Sequence, residues 1–218
     1  MSVGLATRVA SSTTFAVVAY HLALSTTHVH NNRAYLVSVL AILAMSPSGR
    51  AFSLDARRAA DAGAPLEPTM VAWPIWLLRF QCALVYGASG FSKLIDPDWF
   101  GGTVTWSRVM AQEAMVRSSA LPTALADLLL DRDVHTVAAK VIVLTELFVA
   151  GGLWWPRTRR WAVAAAVVFH LVIEFSAEVQ VFSYLGLAVL FVWASPAAWE
   201  HPWQIVHNRR VRADGSTT

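Results

Sequence analysis

His170 and Glu174 stand out first, because both are ionisable and both lie inside an apolar run, Trp161 to Ser176. Four residues apart, they share one side of a helix. An imidazole one turn from a carboxylate can serve as a proton relay, a metal ligand or a buried hydrogen-bonded pair. Both are expected to face the interior of the protein, since charge turned toward lipid is unfavourable by a few kcal/mol. Lys140 and Glu146 occupy another apolar run, Ala138 to Trp155, and are expected to hydrogen-bond to neighbouring helices. His28-Val29-His30, followed by Asn31-Asn32-Arg33, could offer two alternating nitrogens to a metal. With seven histidines in all and no second cluster of them, no metal is expected, and a polar loop bonding across helix ends needs only amides and backbone groups. The densest element is Gly87-Ala88-Ser89-Gly90-Phe91-Ser92-Lys93-Leu94-Ile95-Asp96-Pro97-Asp98-Trp99. Small residues let helices approach closely, and Lys93 follows where the apolar run ends. Lys93 either snorkels toward lipid headgroups or sits in a dry pocket that favours a neutral amine able to take protons. In the second case Asp96 and Asp98 should point away, because a nearby carboxylate favours the ammonium form.

The elements that position these residues are apolar helices. Of 218 residues, 56% are hydrophobic and 14% charged, against about 25% charged in soluble domains, and the mean hydropathy is +0.49. Six apolar segments can be marked: Phe15 to Leu24, with Leu5 to Ser12 as an extension; Tyr35 to Met45; Met70 to Leu94; Ala138 to Trp155; Trp161 to Ser176; and Val179 to Ala194, closed by Ser195-Pro196. Several approach the roughly 20 residues that cross a hydrocarbon core. The stretch between the third and fourth, Ile95 to Val137, alternates Trp99, Phe100, Trp106, Met110 and Met115 with charges, as interfacial helices do. The expected fold is therefore all-α, a polytopic membrane bundle of about six hydrophobic segments plus interfacial helices. Its expected partner is the lipid bilayer. The pI near 9.4 does not imply nucleic acid, because the arginines cluster at segment ends rather than along one polar face.

Those arginines set the expected orientation. If all six segments cross, one side carries Arg8, Arg50, Arg57, Arg58, Arg157, Arg159, Arg160, Arg209, Arg210 and Arg212, and the other Arg33, Lys93, Arg108, Arg117 and Arg132. Ten cations against five place both termini in the cytoplasm, with His30, Asn31, Asn32, Arg33, Lys93 and Glu178 on the opposite face. Many of the ten tryptophans lie at segment ends, as in an aromatic belt. Cys82, the single cysteine, is expected to pack. No cleavable signal peptide is evident, so the first segment is expected to remain.

Four stretches in order resemble a known family. Asn31 through Tyr35-Leu36, with Ser53-Leu54-Asp55, is similar to the Asn-His-x-Tyr-Leu and Ser-x-Asp elements of the HTTM (horizontally transferred transmembrane) domain of vitamin K-dependent gamma-carboxylases. Leu78-Arg79-Phe80-Gln81 through Tyr86, continuing to Lys93-Leu94 and Asp98-Trp99, resembles the segment bearing that family's proposed catalytic lysine. Leu144-Thr145-Glu146-Leu147 resembles its Leu-x-Glu-Leu helix, and Phe169-His170 with Phe182-Ser183-Tyr184 its Phe-His and Phe-Ser-Tyr pair. The resemblance implies an HTTM-like domain over residues 1–208 ahead of a polar, disordered tail at 209–218, in a bacterial cell membrane. It also implies a lipid-soluble small molecule as partner, a reduced isoprenoid quinone, vitamin K-like. Lys93 would be the base that deprotonates the quinol, with Arg33, His30 and His170 as further catalytic candidates. Asn31, Asn32, Tyr35, Trp99, Glu146 and Glu174 would contact the substrate. Arg33 stands where the family has histidine, with His30 three residues away to substitute for it. No large extramembrane domain follows the sixth segment, so a small lipid-soluble substrate is expected rather than a protein glutamate. The competing expectation is a non-catalytic scaffold or binding subunit that keeps the bundle alone.

Overall fold

A computed structural model describes residues 5–24, 31–47, 49, 53–63, 72–176 and 181–194. Among them the chain forms helices α1 (Thr7–Leu24), α2 (Asn31–Met45), α3 (Leu54–Asp61), α4 (Trp73–Ile95), α5 (Pro97–Phe100), α6 (Thr103–Met110), α7 (Glu113–Ser118), α8 (Thr123–Leu130), α9 (Arg132–Gly152), α10 (Arg159–Ser176) and α11 (Phe182–Leu190), with a 3-10 turn at Phe191–Trp193. Leu5 to Ser12 belongs to α1 apart from its first two residues. The stretch expected to be interfacial is divided into the four short helices α5 to α8, and Asn31, Asn32 and Arg33 form the first turn of α2 rather than a loop. His28 and His30, Glu178 and the tail at 209–218 lie outside the described residues.

The breaks follow local chemistry. Pro97 disfavours a helical residue before it, so Asp96 turns extended (φ −89°, ψ 113°) and α4 stops. Asp96 then accepts from the backbone N–H of Asp98 and Trp99 as the N-cap of α5. Asp131 does the same for α9 through Asp133 and Val134. Gly102, at φ +80°, takes the left-handed conformation that glycine adopts without strain; a Cβ there would lie 2.6 Å from the backbone nitrogen of Thr136.

α4 is the central helix, packed along α9 and flanked by α2 and α11, with α10 between α9 and α11. The core joins Tyr35, Val39 and Ile42 of α2 to Leu78, Cys82 and Tyr86 of α4, then to Val149 and Leu153 at the end of α9, Ala162, Ala166 and Phe169 of α10, and Val189, Leu190 and Trp193. On α9, Ala139, Val143, Glu146 and Val149 make a buried stripe at helical spacing. Its opposite side is apolar too: Val137, Val141, Leu144 and Phe148 are exposed. A helix apolar all round suits burial or lipid, not water. Arg132–Gly152 is the one helix among the described residues long and apolar enough, by length and composition, to cross a membrane. The other five segments do not meet that test, α4 carrying Arg79 and Lys93 within its length.

Tryptophans gather at both ends of α4. Trp73, Trp76, Trp154 and Trp193 meet at one end, with Trp76 stacked on Trp154 and Trp154 edge-on to Trp193. Trp99 lies beyond the other end, beneath the amine of Lys93. Between them run the 23 residues of α4, about 34 Å at 1.5 Å per residue, close to the roughly 30 Å of a hydrocarbon core.

Candidate functional site

Tyr86, Ser89, Gly90 and Lys93 fall on one face of α4, spaced three, four and seven residues apart so that they stack along the helix. That face meets the buried stripe of α9. Gly90 permits the approach, since a Cβ on it would sit 3.1 Å from the Cβ of Glu146 and 3.1 Å from Leu147. The Lys93 amine donates to Glu146 Oε1 at 2.6 Å and to Ser89 Oγ at 2.9 Å, and Ser89 Oγ donates to the same Glu146 oxygen at 2.9 Å. The Glu146 side chain is 2% exposed and that of Lys93 16%. The amine also lies 5.0 Å from the centre of the Trp99 ring, which the guanidinium of Arg108 approaches as well. Glu146 Oε2 is buried and has no partner among the described residues.

Lys93 is therefore not an isolated amine in an apolar pocket. The carboxylate beside it is Glu146, from a helix 53 residues on, while Asp96 is spent on capping α5. The contact is a charge-assisted ion pair that joins α4 to α9. Lys140, one and a half turns before Glu146, turns away from the pair and lies over the Phe100 ring.

Deeper along α4, Tyr86 Oη lies 2.6 Å from His170 Nε2. His170 is fully buried, ringed by Tyr86, Phe169 and Phe182. The imidazole fits because residue 186 of α11 is glycine; a Cβ there would overlap His170 Nε2 and Cε1. His170 Nδ1 and the hydroxyl of Ser183, one turn before Gly186, are buried without a partner among the described residues. Tyr35 is buried on α2, in the same core cluster as Tyr86 and Cys82 of α4. The bundle interior thus carries two polar groups: Lys93–Ser89–Glu146 at one end of α4, and Tyr86–His170 nearer its middle.

Other expected residues stand elsewhere. Glu174 does not share the interior with His170: it is exposed on the outside of the bundle. Four residues advance a helix by one turn and roughly 40° more, enough to carry Glu174 off the buried face. Arg33 is half-buried in the first turn of α2 and makes no ion pair with another described residue. Asn32 lies beside it, half-buried, and Asn31 opens the helix. Ser53 and Asp55 act as structural groups: Ser53 caps α3, and Asp55 accepts from the backbone N–H of Ala6 and of Thr7 and from the Thr7 hydroxyl, closing the start of α1. Ser89, Gly186 and Ser183 do not stand out by residue type. The one signal for Ser89 is its register with Tyr86 and Lys93.

The described residues form an all-helical bundle with exposed apolar faces and an ion pair inside it. The chain matches the HTTM domain over residues 1–199 and belongs to that family, with which the resemblance to the gamma-carboxylase membrane domain is consistent. No curated protein and no solved structure matches it.

Proposed function

We propose that this HTTM protein is a polytopic membrane enzyme acting on a quinol or another lipid-soluble small molecule, with Lys93 as its base. The observation that carries the reading is a lysine amine held 2.6 Å from a carboxylate that is itself 2% exposed, where the apolar α4 ends. In the proposed step the ammonium of Lys93 gives a proton to Glu146, and the neutral amine takes the hydroxyl proton of the quinol. The net change is a phenolate and a protonated Glu146, so charge is conserved within the site. The unpartnered Glu146 Oε2 gives that proton a second place to reside. Trp99, stacked over the amine, supplies an apolar wall for a ring, and the exposed apolar faces of α4 and α9 suit a substrate that arrives through the bilayer. In this reading the six apolar segments that hold α1, α2, α4, α9, α10 and α11 cross the membrane with both termini cytoplasmic, as the distribution of arginines favours.

The test joins mass spectrometry of copurified quinones and lipids with quinol-dependent turnover. Lys93→Arg should be inactive, because a guanidinium stays protonated. Full activity of Lys93→Arg would leave the lysine as an electrostatic contact and remove the base.

A second reading is favoured by the same geometry seen another way. Lys93 has Glu146, Ser89 and the Trp99 face as partners, which suffices for a structural ion pair joining α4 to α9 in a binding subunit without catalysis. Copurification with no quinone, and substitutions that alter stability alone, would select it.

A further inference from the structure

At the opposite end of α4 two guanidiniums share one tryptophan. Arg79 lies 5.2 Å from the centre of the Trp193 ring and 5.2 Å from that of Trp76, and Arg159 lies 5.6 Å from Trp193. Each arginine spends its Nε on a backbone carbonyl: Arg79 donates to Val192 at 2.9 Å and Arg159 to Leu153 at 3.0 Å. That fixes both side chains and leaves their terminal NH2 groups to bond elsewhere. Both guanidiniums lie against the one Trp193 ring, and among the described residues no carboxylate pairs with either. Two positive groups held together without a counter-ion make a site for an anion, and the planar fork of arginine matches the oxygens of a phosphate. Next to Arg79, which lies over the Trp76 ring, Trp73, Trp76, Leu77 and Phe80 line a shallow, open apolar groove on the outer face of α4.

We infer that this end of the bundle is a binding site for an anionic phospholipid, its phosphodiester held by Arg79 and Arg159 and its acyl chain laid along the Trp73–Phe80 groove. The charge selects the headgroup, and the groove selects a lipid over a free anion. Neither arginine belongs to the Lys93 site, about 20 Å away along α4 at 1.5 Å per residue, so the inference stands whether or not that site is catalytic.

The test uses the full chain in detergent, titrated with phosphatidylglycerol or phosphatidylcholine, with bound lipid counted by native mass spectrometry. Wild type should retain phosphatidylglycerol in preference to phosphatidylcholine. Arg79→Gln and Arg159→Gln should each weaken that preference about fivefold, the effect of one basic group at a membrane surface, while Arg117→Gln on α7 should leave it unchanged. Because Arg79 also ties α4 to Val192, each variant's melting temperature is compared in phosphatidylcholine, and Arg159→Gln, outside α4, provides the independent arm. Equal retention of the two lipids, an unchanged preference in Arg159→Gln, or displacement of phosphatidylglycerol by equimolar inorganic phosphate would each overturn the assignment.

Discussion

Replacing Lys93 with alanine tests the ion pair that defines the candidate site. The substitution leaves a carboxylate 2% exposed with Ser89 as its one remaining donor among the described residues. Removing one partner of a buried pair costs about 3–5 kcal/mol. Here the lysine side chain is 16% exposed, so water can follow into the vacated space, and the expected loss falls to about 2–3 kcal/mol. For a chain of this length each kcal/mol moves the melting temperature by roughly 2–4 °C, giving a fall of about 5–10 °C in detergent. Glu146→Gln keeps an acceptor for both Lys93 and Ser89 and should cost about 1 kcal/mol. Because the glutamine carries no charge to strand, Lys93→Ala/Glu146→Gln should be milder than the sum of the two single changes by about 1–2 kcal/mol, within the range found for contacting residues. Thermal unfolding of wild type, both single variants and the double variant measures that difference. If the changes add to within about 0.5 kcal/mol, the two side chains are not coupled and the site as described does not exist in solution. The same reasoning makes inactivity of Lys93→Ala a poor proof of chemistry, since the variant is destabilised for electrostatic reasons.

Gly186→Ala drives a methyl group into the His170 ring; relief requires the ring or α11 to retreat by roughly 1 Å to regain normal contact, so a loss of about 1–3 kcal/mol should appear as a lower melting temperature, and an unchanged one would place α11 farther from α10. The N–H groups of Thr7 and then Ala6 hold the Asp55 carboxyl below the usual carboxylate range. Its contribution is present above an unfolded value of about 3.9 and is lost as pH falls through the lower folded one. The melting gap between wild type and Asp55→Asn should therefore stay constant above about pH 5 and shrink as pH falls below about 4, and a gap that does not shrink there would refute the cap. Both termini are expected in the cytoplasm, so a periplasmic reporter fused after Thr218 should be silent, and an active one would reverse the orientation.

The apolar segments were legible because hydrophobic runs and proline breaks are local: α9, α10 and the Asp96-Pro97 boundary follow from neighbouring residues. The pairings were not. Lys93 and Glu146 are each conspicuous as charges in apolar runs, but Asp96 and Asp98 are nearer in sequence to Lys93, and only the docking of α4 on α9 decides which carboxylate it meets. Gly186 and His170 meet in the same way, through two helices whose separation no single-helix pattern encodes. Glu174 was misplaced because sharing a side with His170 tolerates a rotation that burial does not. The stretch at Ser53–Asp55 could be matched by resemblance, yet its caps become visible once the start of α1 is seen beside it.

The bonds from Thr7 and Ala6 to Asp55 span 48 and 49 residues. The first turn of α1 thus emerges from the ribosome with its amides open and waits for α2 and the start of α3 to be made before a side chain closes it. At roughly 5–20 residues per second that delay lasts several seconds. During it α1 must be held by its surroundings, so the clamp reports that the first hairpin has been completed rather than helping to start it.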